Sequence, residues 1–277
     1  GDYDFIKAFK RSSNTYFVHY ALMSDGKTAR WRQGKKVLLD WGNRFRLGQK
    51  TFTTLPGGLA SPIREGSGYF PARDSEFKKK NQFENRIRWA PGDVANLCIG
   101  QGEITVTPLQ MAVMTSAVAN GGKVLQPRLV TRVDSRQAFG QAQNQEIPVK
   151  VLDELNLKRK TVELMHEAML ADVDDPDGSG HAARVPGLDI GGKTGTAQIT
   201  VPTGKFNPRG VRLFRADHIT WFVSFAPLES PRYVVVVMVE SGESGGSTCA
   251  PIAGRIYREI RNLERERKKG GPRLANQ

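Results

Sequence analysis

Three segments in the carboxyl-terminal half of the chain are dense in β-branched and aromatic residues, and they limit the possible fold most strongly. They comprise residues 188–199, 219–226 and 232–240. Only residues 227–231 join the second segment to the third. A parallel pair needs a crossover of about a dozen residues or more, so these two segments must pair as an antiparallel hairpin. The sequence therefore predicts an antiparallel sheet in this half of the chain.

Helical patterns precede and follow these segments. Thr107 and Gln110 have the spacing of a capping box around Pro108, which predicts a helix that ends at Asn120-Gly121-Gly122. Apolar spacing predicts further helices over residues 12–23, 158–171 and 249–267. Loops are expected where Gly, Pro and polar residues accumulate, at residues 27–92, 134–148, 172–180 and 202–217.

The order of these elements indicates the fold class. Helices followed by an antiparallel sheet and a closing helix are typical of an α+β domain. We expect one domain over residues 1–268 and a flexible tail at residues 269–277.

Composition restricts the classes of partner and ligand. The net charge is +13, but the basic residues are dispersed and carry no DNA- or RNA-binding signature, so we interpret them as a solubilising surface. No apolar run approaches the roughly 18 residues of a membrane span. Cys98 and Cys249 are expected to be two buried thiols, although they are also compatible with one disulfide. The four histidines have no metal-ligand spacing.

The most informative motif is Lys193-Thr194-Gly195-Thr196-Ala197, in the first predicted strand. A lysine ammonium and a threonine hydroxyl side by side can hold a carboxylate. Gly195 lets a substrate backbone lie close to the strand, and the amide of Thr196 can face a developing oxyanion. The alternative is an ordinary edge strand that contains these residues by chance.

One class of serine acyl-transfer enzymes combines the motifs S-x-x-K, S-x-N and K-T-G in that chain order. Ser12-Ser13-Asn14 supplies the second motif upstream of Lys193. Two S-x-x-K strings begin at Ser24 and Ser75, but both follow Ser12, whereas the nucleophile must precede it. We therefore interpret both strings as decoys and predict that the nucleophile is not in this chain.

Longer runs then resemble the transpeptidase domain of class B, monofunctional penicillin-binding proteins over nearly the whole chain. These runs are SSNTYF at 12–17, WAPGD at 89–93, IGQG at 99–102, TVTPLQMA at 105–112, GGKTGTAQ at 191–198 and HITWFVSFAP at 218–227. The histidine shortly before Trp-Phe is similar to the elongation-type branch, penicillin-binding protein 2. The resemblance implies an antiparallel sheet flanked by helices, as in serine β-lactamases, here without the amino-terminal strand and the nucleophile helix.

The resemblance also implies an activity and roles for individual residues. The family is a serine D,D-transpeptidase that cross-links peptidoglycan stem peptides ending in D-Ala-D-Ala and is acylated by β-lactam antibiotics. Ser12 would relay protons, Asn14 would hold the peptide amide, and Lys193 would bind the terminal carboxylate. Thr194 would share that carboxylate, Gly195 would admit the substrate, and the Thr196 amide would form half of the oxyanion hole. Neither a metal nor an organic cofactor is implied.

Partners and location follow from the same resemblance. A glycosyltransferase and other cell-wall synthesis proteins are expected partners, and nucleic acid is not. The expected location is the periplasmic face of the bacterial inner membrane, held there by an amino-terminal anchor that is missing here, so that this fragment by itself would be soluble and catalytically incomplete. Two alternatives remain: a β-lactamase or penicillin-sensing domain of the same fold, and an inactive peptidoglycan-binding scaffold.

Overall fold

The computed structural model describes residues 3–22, 30–51, 68–71, 89–135 and 143–269 of the 277-residue chain. Backbone contacts divide the chain into two compact units, residues 1–16 with 163–277 and residues 17–162. The helices are α1 (Phe5–Lys10), α2 (Asn14–Leu22), α3 (Arg30–Arg44), α4 (Pro91–Cys98), α5 (Pro108–Ala119), α6 (Arg159–Asp174) and α7 (Ala250–Lys268). The strands are β1 (Lys123–Leu125), β2 (Arg132–Ser135), β3 (Gln143–Glu146), β4 (Val151–Glu154), β5 (Gly191–Phe206), β6 (Arg212–Ala226) and β7 (Tyr233–Glu240).

An antiparallel sheet with the strand order β5-β6-β7 forms the centre of the first unit. Alternating apolar residues of β6 and β7 face α7, whose Ala250, Ala253 and Tyr257 are buried against them. The β6–β7 connection is the hairpin that its short length predicts. The α+β class with an antiparallel sheet flanked by helices is therefore confirmed.

The connection between β5 and β6 differs from the sequence prediction. We expected a loop over residues 202–217, but both strands continue into it, and Pro202 pairs with Phe214. The turn contains Asn207, whose side chain accepts hydrogen bonds from the amides of Arg209 and Val211. The prediction was wrong because strand pairing in this outer part of the hairpin does not require burial, and its residues are mostly exposed.

The second unit contains α5 and its predicted capping box. Thr107 Oγ1 accepts from the Gln110 amide at 3.1 Å, and the Thr107 amide donates to Gln110 Oε1 at 3.0 Å. The core of this unit is formed by apolar residues of α5, β1 and the segment after β4, namely Val113, Ala117, Val124 and Leu155. Strand β1 pairs with β4, and β2 pairs with β3, which lies inside the predicted 134–148 loop.

The prediction of irregular structure over residues 27–92 was wrong for residues 30–44 and 91–92, which belong to α3 and α4. Glycines inside α3 obscured the helical pattern, yet both are required by packing. A Cβ at Gly34 would lie 1.9 Å from the Ala21 carbonyl oxygen, and one at Gly42 would lie 2.1 Å from the ring of Phe70. Ser24 and Ser75, which we interpret as decoys, lie outside the described residues.

Other predictions concern the termini, the cysteines and membrane segments. Helices α6 and α7 were both predicted to within a few residues, whereas most of the predicted tail, residues 270–277, lies outside the described residues. Both cysteines are free thiols; Cys249 is buried, and Cys98 is half-buried with its pKa raised by burial to about 11. Within the ranges that the structure describes, each helix is too short or too polar to cross a bilayer.

Candidate active site

Strand β5 holds the Lys193 motif at the edge of the described sheet. Gly191 and Gly192 precede it because side chains there would collide with the core: a Cβ at Gly192 would lie 2.5 Å from the ring of Phe222 and 2.8 Å from Val173. Lys193 pairs with Val223 across the ladder. Its side chain is only 19% exposed, so its ammonium is largely withdrawn from water.

Ser12 lies in the turn between α1 and α2, and its hydroxyl meets Lys193. The Lys193 ammonium donates to Ser12 Oγ at 2.9 Å. Ser12 has a φ of 53°, a left-handed conformation that is uncommon for a residue with a side chain. The predicted helix over residues 12–23 therefore begins two residues late, at Asn14, and the sharp turn aims the hydroxyl at β5.

The segment that carries Ser12 is attached to the loop after α6. Lys10 donates to Asp175 at 2.5 Å and to Asp177 at 2.9 Å. The Ser179 amide donates to the Lys10 carbonyl at 3.1 Å. These contacts fix the end of α1 beside β5, so a serine 181 residues upstream of Lys193 lies within hydrogen-bond distance of it.

Asn14, Gly195 and Thr196 complete the set of predicted site residues. Asn14 is the exposed first residue of α2, two positions after Ser12. Gly195 and Thr196 continue along β5, and the Gly245 amide donates to Thr196 Oγ1 at 3.2 Å. A Cβ at Gly245 would lie 2.7 Å from the Gly195 carbonyl oxygen, so the turn before α7 depends on a glycine to approach this strand.

Two polar residues beside the site were missed by sequence reasoning. Asp172 is on α6 and fully buried, and Ser179 follows in the connection to β5. Ser179 Oγ donates to Asp172 Oδ1 at 2.6 Å and lies 2.5 Å from Thr194 Oγ1. The sequence predicts a loop over residues 172–180, but α6 extends to Asp174. The sequence did contain one signal of a buried aspartate: Asp172 adjoins Val173 on the apolar side of the helix, where a charged residue is unusual.

The buried charges shift the pKa values of both partners. Burial lowers the pKa of Lys193, and the neighbouring carboxylate of Asp172 partly opposes this shift. Burial raises the pKa of Asp172 to about 6, and the attraction of Lys193 and the Ser179 hydrogen bond only partly offset it. The Lys193 Nζ to Asp172 Oδ1 distance is 3.9 Å, too long for a hydrogen bond. The Ser12 hydroxyl, the Lys193 ammonium and the Thr194 hydroxyl therefore converge at a site that suits an anionic ligand.

The described residues contain no cluster of three His, Cys, Asp or Glu that could hold a metal ion. The convergent groups are instead hydrogen-bond donors and one cation, which can bind a carboxylate and move a proton between hydroxyls.

Comparison with known proteins identifies relatives over most of the chain. Residues 1–258 match the family described as the penicillin binding protein transpeptidase domain. The chain is 32% identical to the peptidoglycan D,D-transpeptidase MrdA of Acinetobacter baumannii over 91% of this chain and 33% of that protein. It is 30% identical to MrdA of Haemophilus influenzae over 92% of this chain and 36% of that protein.

A solved structure with a similar fold is penicillin-binding protein 3 of Mycobacterium tuberculosis, complexed with aztreonam. It has a TM-score of 0.65 and 27% identity, over 95% of this chain and 52% of that chain. The chain spans about a third of the length of the curated relatives it matches.

Proposed function

Because the chain belongs to the family of penicillin-binding protein transpeptidase domains, we propose that it forms the substrate-binding part of a peptidoglycan D,D-transpeptidase. The hydrogen bond between Lys193 and Ser12 is the observation that carries this proposal. It joins the S-x-N and K-T-G motifs, which are far apart in sequence, into one donor-rich site. The names of the MrdA relatives support the same reaction class.

Each predicted residue then has a role in binding the acyl donor. Lys193 and Thr194 bind the terminal carboxylate of a stem peptide that ends in D-Ala-D-Ala. Asn14 holds the peptide amide, Gly195 admits the peptide backbone beside β5, and the Thr196 amide stabilises the oxyanion.

Ser12 moves a proton during the reaction. A serine nucleophile attacks the penultimate D-Ala carbonyl carbon, the peptide bond to the last D-Ala breaks, and an acyl-enzyme remains. The leaving amine must gain a proton, and Ser12 can pass one to it while Lys193 holds the hydroxyl in place. An amine of a second stem peptide then attacks the ester and releases the serine. We place this nucleophile at neither Ser24 nor Ser75.

Ligands, partners and location belong to the same proposal. Penicillins are acyl donors with a carboxylate near the reactive carbonyl, so they use Lys193 and Thr194 as the peptide does. The similar Mycobacterium tuberculosis structure is complexed with another β-lactam, aztreonam, which supports β-lactams as probes of this site. A glycosyltransferase that supplies the glycan strands and a position on the periplasmic face of the inner membrane complete the proposed setting.

Intact-mass spectrometry after incubation with benzylpenicillin tests the proposal. The assay compares this chain with a longer version that includes any coding sequence upstream of residue 1. We expect one penicilloyl adduct on the longer version and none on this chain. Lys193→Met in the longer version should slow acylation by about 100-fold, because a buried partner of the ligand carboxylate is lost. Ser13→Ala is the matched control, since that hydroxyl contacts Thr15 and should leave the rate nearly unchanged.

Other outcomes would support different functions. Labelling of this chain at Ser24 or Ser75 would show that the interpretation of those serines as decoys is wrong. Rapid release of the adduct would indicate a β-lactamase. If neither version is labelled, the transpeptidase proposal fails, and a peptidoglycan-binding scaffold becomes the better explanation.

A further inference from the structure

A chain of three hydrogen-bonding groups runs from the protein interior to the proposed carboxylate site. It starts at the buried Asp172, passes through the Ser179 hydroxyl and ends at the Thr194 hydroxyl, with O···O distances of 2.6 Å and 2.5 Å. Both distances are short for hydroxyl hydrogen bonds. Each hydroxyl has a single proton, so the direction of these bonds determines whether the Thr194 proton points to Ser179 or to a ligand.

The number of available protons fixes that direction when Asp172 is ionised. A carboxylate only accepts, so the single proton of Ser179 must point to Asp172 Oδ1. Ser179 then accepts from Thr194, whose single proton is used. Lys193 also donates to Thr194 Oγ1 at 3.3 Å. In this state Thr194 has no proton left for a ligand carboxylate, although the proposed function requires it to donate one.

Protonation of Asp172 reverses the chain. A proton on Oδ1 donates to Ser179, Ser179 donates to Thr194, and the Thr194 proton becomes available to a ligand. Asp172 Oδ2 is buried and has no hydrogen-bond partner among the described residues. A proton placed on Oδ2 would be a buried donor without an acceptor, which is costly, so Oδ1 is the favoured position.

Lys193 on β5 is the charged group that faces Asp172, 3.9 Å from its Oδ1. The other charged or titratable groups on the neighbouring elements bind elsewhere: Asp174 with Arg184, Asp175 and Asp177 with Lys10, and His181 with the carbonyl of Val173. Among these titratable groups, Asp172 is therefore the one that is linked to Thr194, through the Ser179 hydroxyl.

We propose that binding of a carboxylate ligand at Lys193 and Thr194 is coupled to the uptake of one proton by Asp172, which reverses the hydrogen-bond chain through Ser179. The inference rests on the proposed function for the identity of the ligand. The proton comes from solvent, and no covalent bond between heavy atoms changes. The added proton balances the negative charge that the ligand brings beside a buried carboxylate. Asp172 and Ser179 are therefore positioning residues that act through Thr194.

This coupling predicts a pH-dependent affinity. Burial gives Asp172 a pKa of about 6 in the free protein, so the free form is increasingly ionised above that pH. Binding that takes up one proton weakens by up to about tenfold per pH unit above this value, until the pKa of the complex is reached. Below about pH 6 the affinity should become independent of pH.

The probe is diacetyl-L-lysyl-D-alanyl-D-alanine, whose only ionisable group is its terminal carboxylate. Its dissociation constant is measured on this chain from the amide chemical shifts of Thr194 and Thr196 between pH 5.5 and 7.5. We expect the constant to rise about tenfold over this range in the wild type. Asp172→Asn should remove the rise, whereas Asp174→Asn, an exposed carboxylate on the same helix, should retain it.

Ser179 variants separate the hydrogen-bond chain from simple charge repulsion. Ser179→Ala removes the connection but leaves Asp172 in place, so the rise should fall below about threefold, and Ser179→Thr should restore it. A Ser179→Ala profile equal to that of the wild type would overturn the chain reversal. If Asp172→Asn does not fold, the chemical shift of the Asp172 carboxyl carbon is followed as a function of pH in the wild type instead. The pKa of Asp172 obtained in this way should increase when the peptide binds.

The failure of this inference and that of the proposed function give different results. Peptide binding with a pH-independent constant, or an Asp172 pKa that the peptide does not change, overturns the coupling alone. Absence of peptide binding to the wild type at every pH overturns the carboxylate site, and the coupling falls with it.

Discussion

At the carboxyl end of α6, Asp172 faces Lys193 while Asp175 and Asp177 bind Lys10, and the two contacts differ in exposure, distance and pKa. Asp175 and Asp177 are 43% and 42% exposed, and they lie 2.5 Å and 2.9 Å from the Lys10 ammonium. Asp172 is fully buried and 3.9 Å from Lys193. The carboxylates that bind Lys10 are therefore close to the lysine and partly exposed, whereas the carboxylate that faces Lys193 is farther from it and buried.

The pKa shifts of the two contacts have opposite signs. The hydrogen bond from Lys10 lowers the pKa of Asp177, and the hydrogen bonds to Asp175 and Asp177 raise the pKa of Lys10, as expected when pairing dominates. Burial raises the pKa of Asp172 and lowers that of Lys193, because desolvation dominates there. The exposed contact fixes the position of α1, whereas the buried one is suited to gaining and losing a proton.

The largest expected effect on stability concerns Asp172→Asn. The pKa of Asp172 is raised from 3.8 to about 6, so the fold favours the protonated form. The cost of burying the charge is absent below about pH 4, develops between pH 4 and 6, and is complete above pH 6. The free energy of unfolding of the variant relative to wild type should therefore rise by about 2 kcal/mol from pH 4 to pH 7.

Urea denaturation at four pH values between 4 and 7 measures this difference. Asp174→Asn serves as the matched control on the same helix, and it should not reproduce the rise expected for Asp172→Asn. A constant difference for Asp172→Asn would show that Lys193 compensates for the buried charge completely.

Asp177→Asn should give a smaller effect of the opposite sign. The pKa of Asp177 is lowered by Lys10, so its contribution to stability is present above the ordinary aspartate pKa and is lost as the pH falls below it. The variant should be less stable than wild type at pH 7, and the difference should be smaller at pH 3, below the ordinary aspartate pKa. Because the Asp177 carboxylate is partly exposed, about 0.5 M salt should also reduce the difference at pH 7. Thermal unfolding at both pH values, with and without salt, tests this; a difference that grows on acidification would contradict it.

Features that depend on local spacing could be predicted from the sequence, whereas features that depend on long-range packing could not. The capping box around Thr107, the antiparallel hairpin of β6 and β7, and the Lys193 motif depend on local spacing, and all three lie where they were predicted. The family resemblance drawn from these motifs is confirmed by the match over residues 1–258. The catalytic roles of Ser12, Asn14 and the β5 residues remain predictions.

Long-range packing accounts for most of what was missed. Nothing near Asp172 in sequence shows that Ser179 and Thr194 complete its surroundings, because the three residues meet only when α6 packs beside β5. Helix α3 was missed because Gly34 and Gly42 weaken its local propensity, and only packing against Ala21 and Phe70 explains them. Ser12 was placed inside a helix because its left-handed conformation leaves no pattern in the sequence.

Arg184→Gln should have the smallest effect, and it separates distance from burial. Arg184 Nε lies 2.7 Å from Asp174 Oδ1, much closer than Lys193 lies to Asp172, but both side chains are more than half exposed, at 51% and 57%. Solvent screening and side-chain entropy cancel most of the attraction in such a pair. The free energy of unfolding should therefore change by less than about 0.5 kcal/mol at pH 7. A loss comparable to the Asp172→Asn change would mean that contact distance, and not burial, determines the strength of the lysine and arginine contacts around α6.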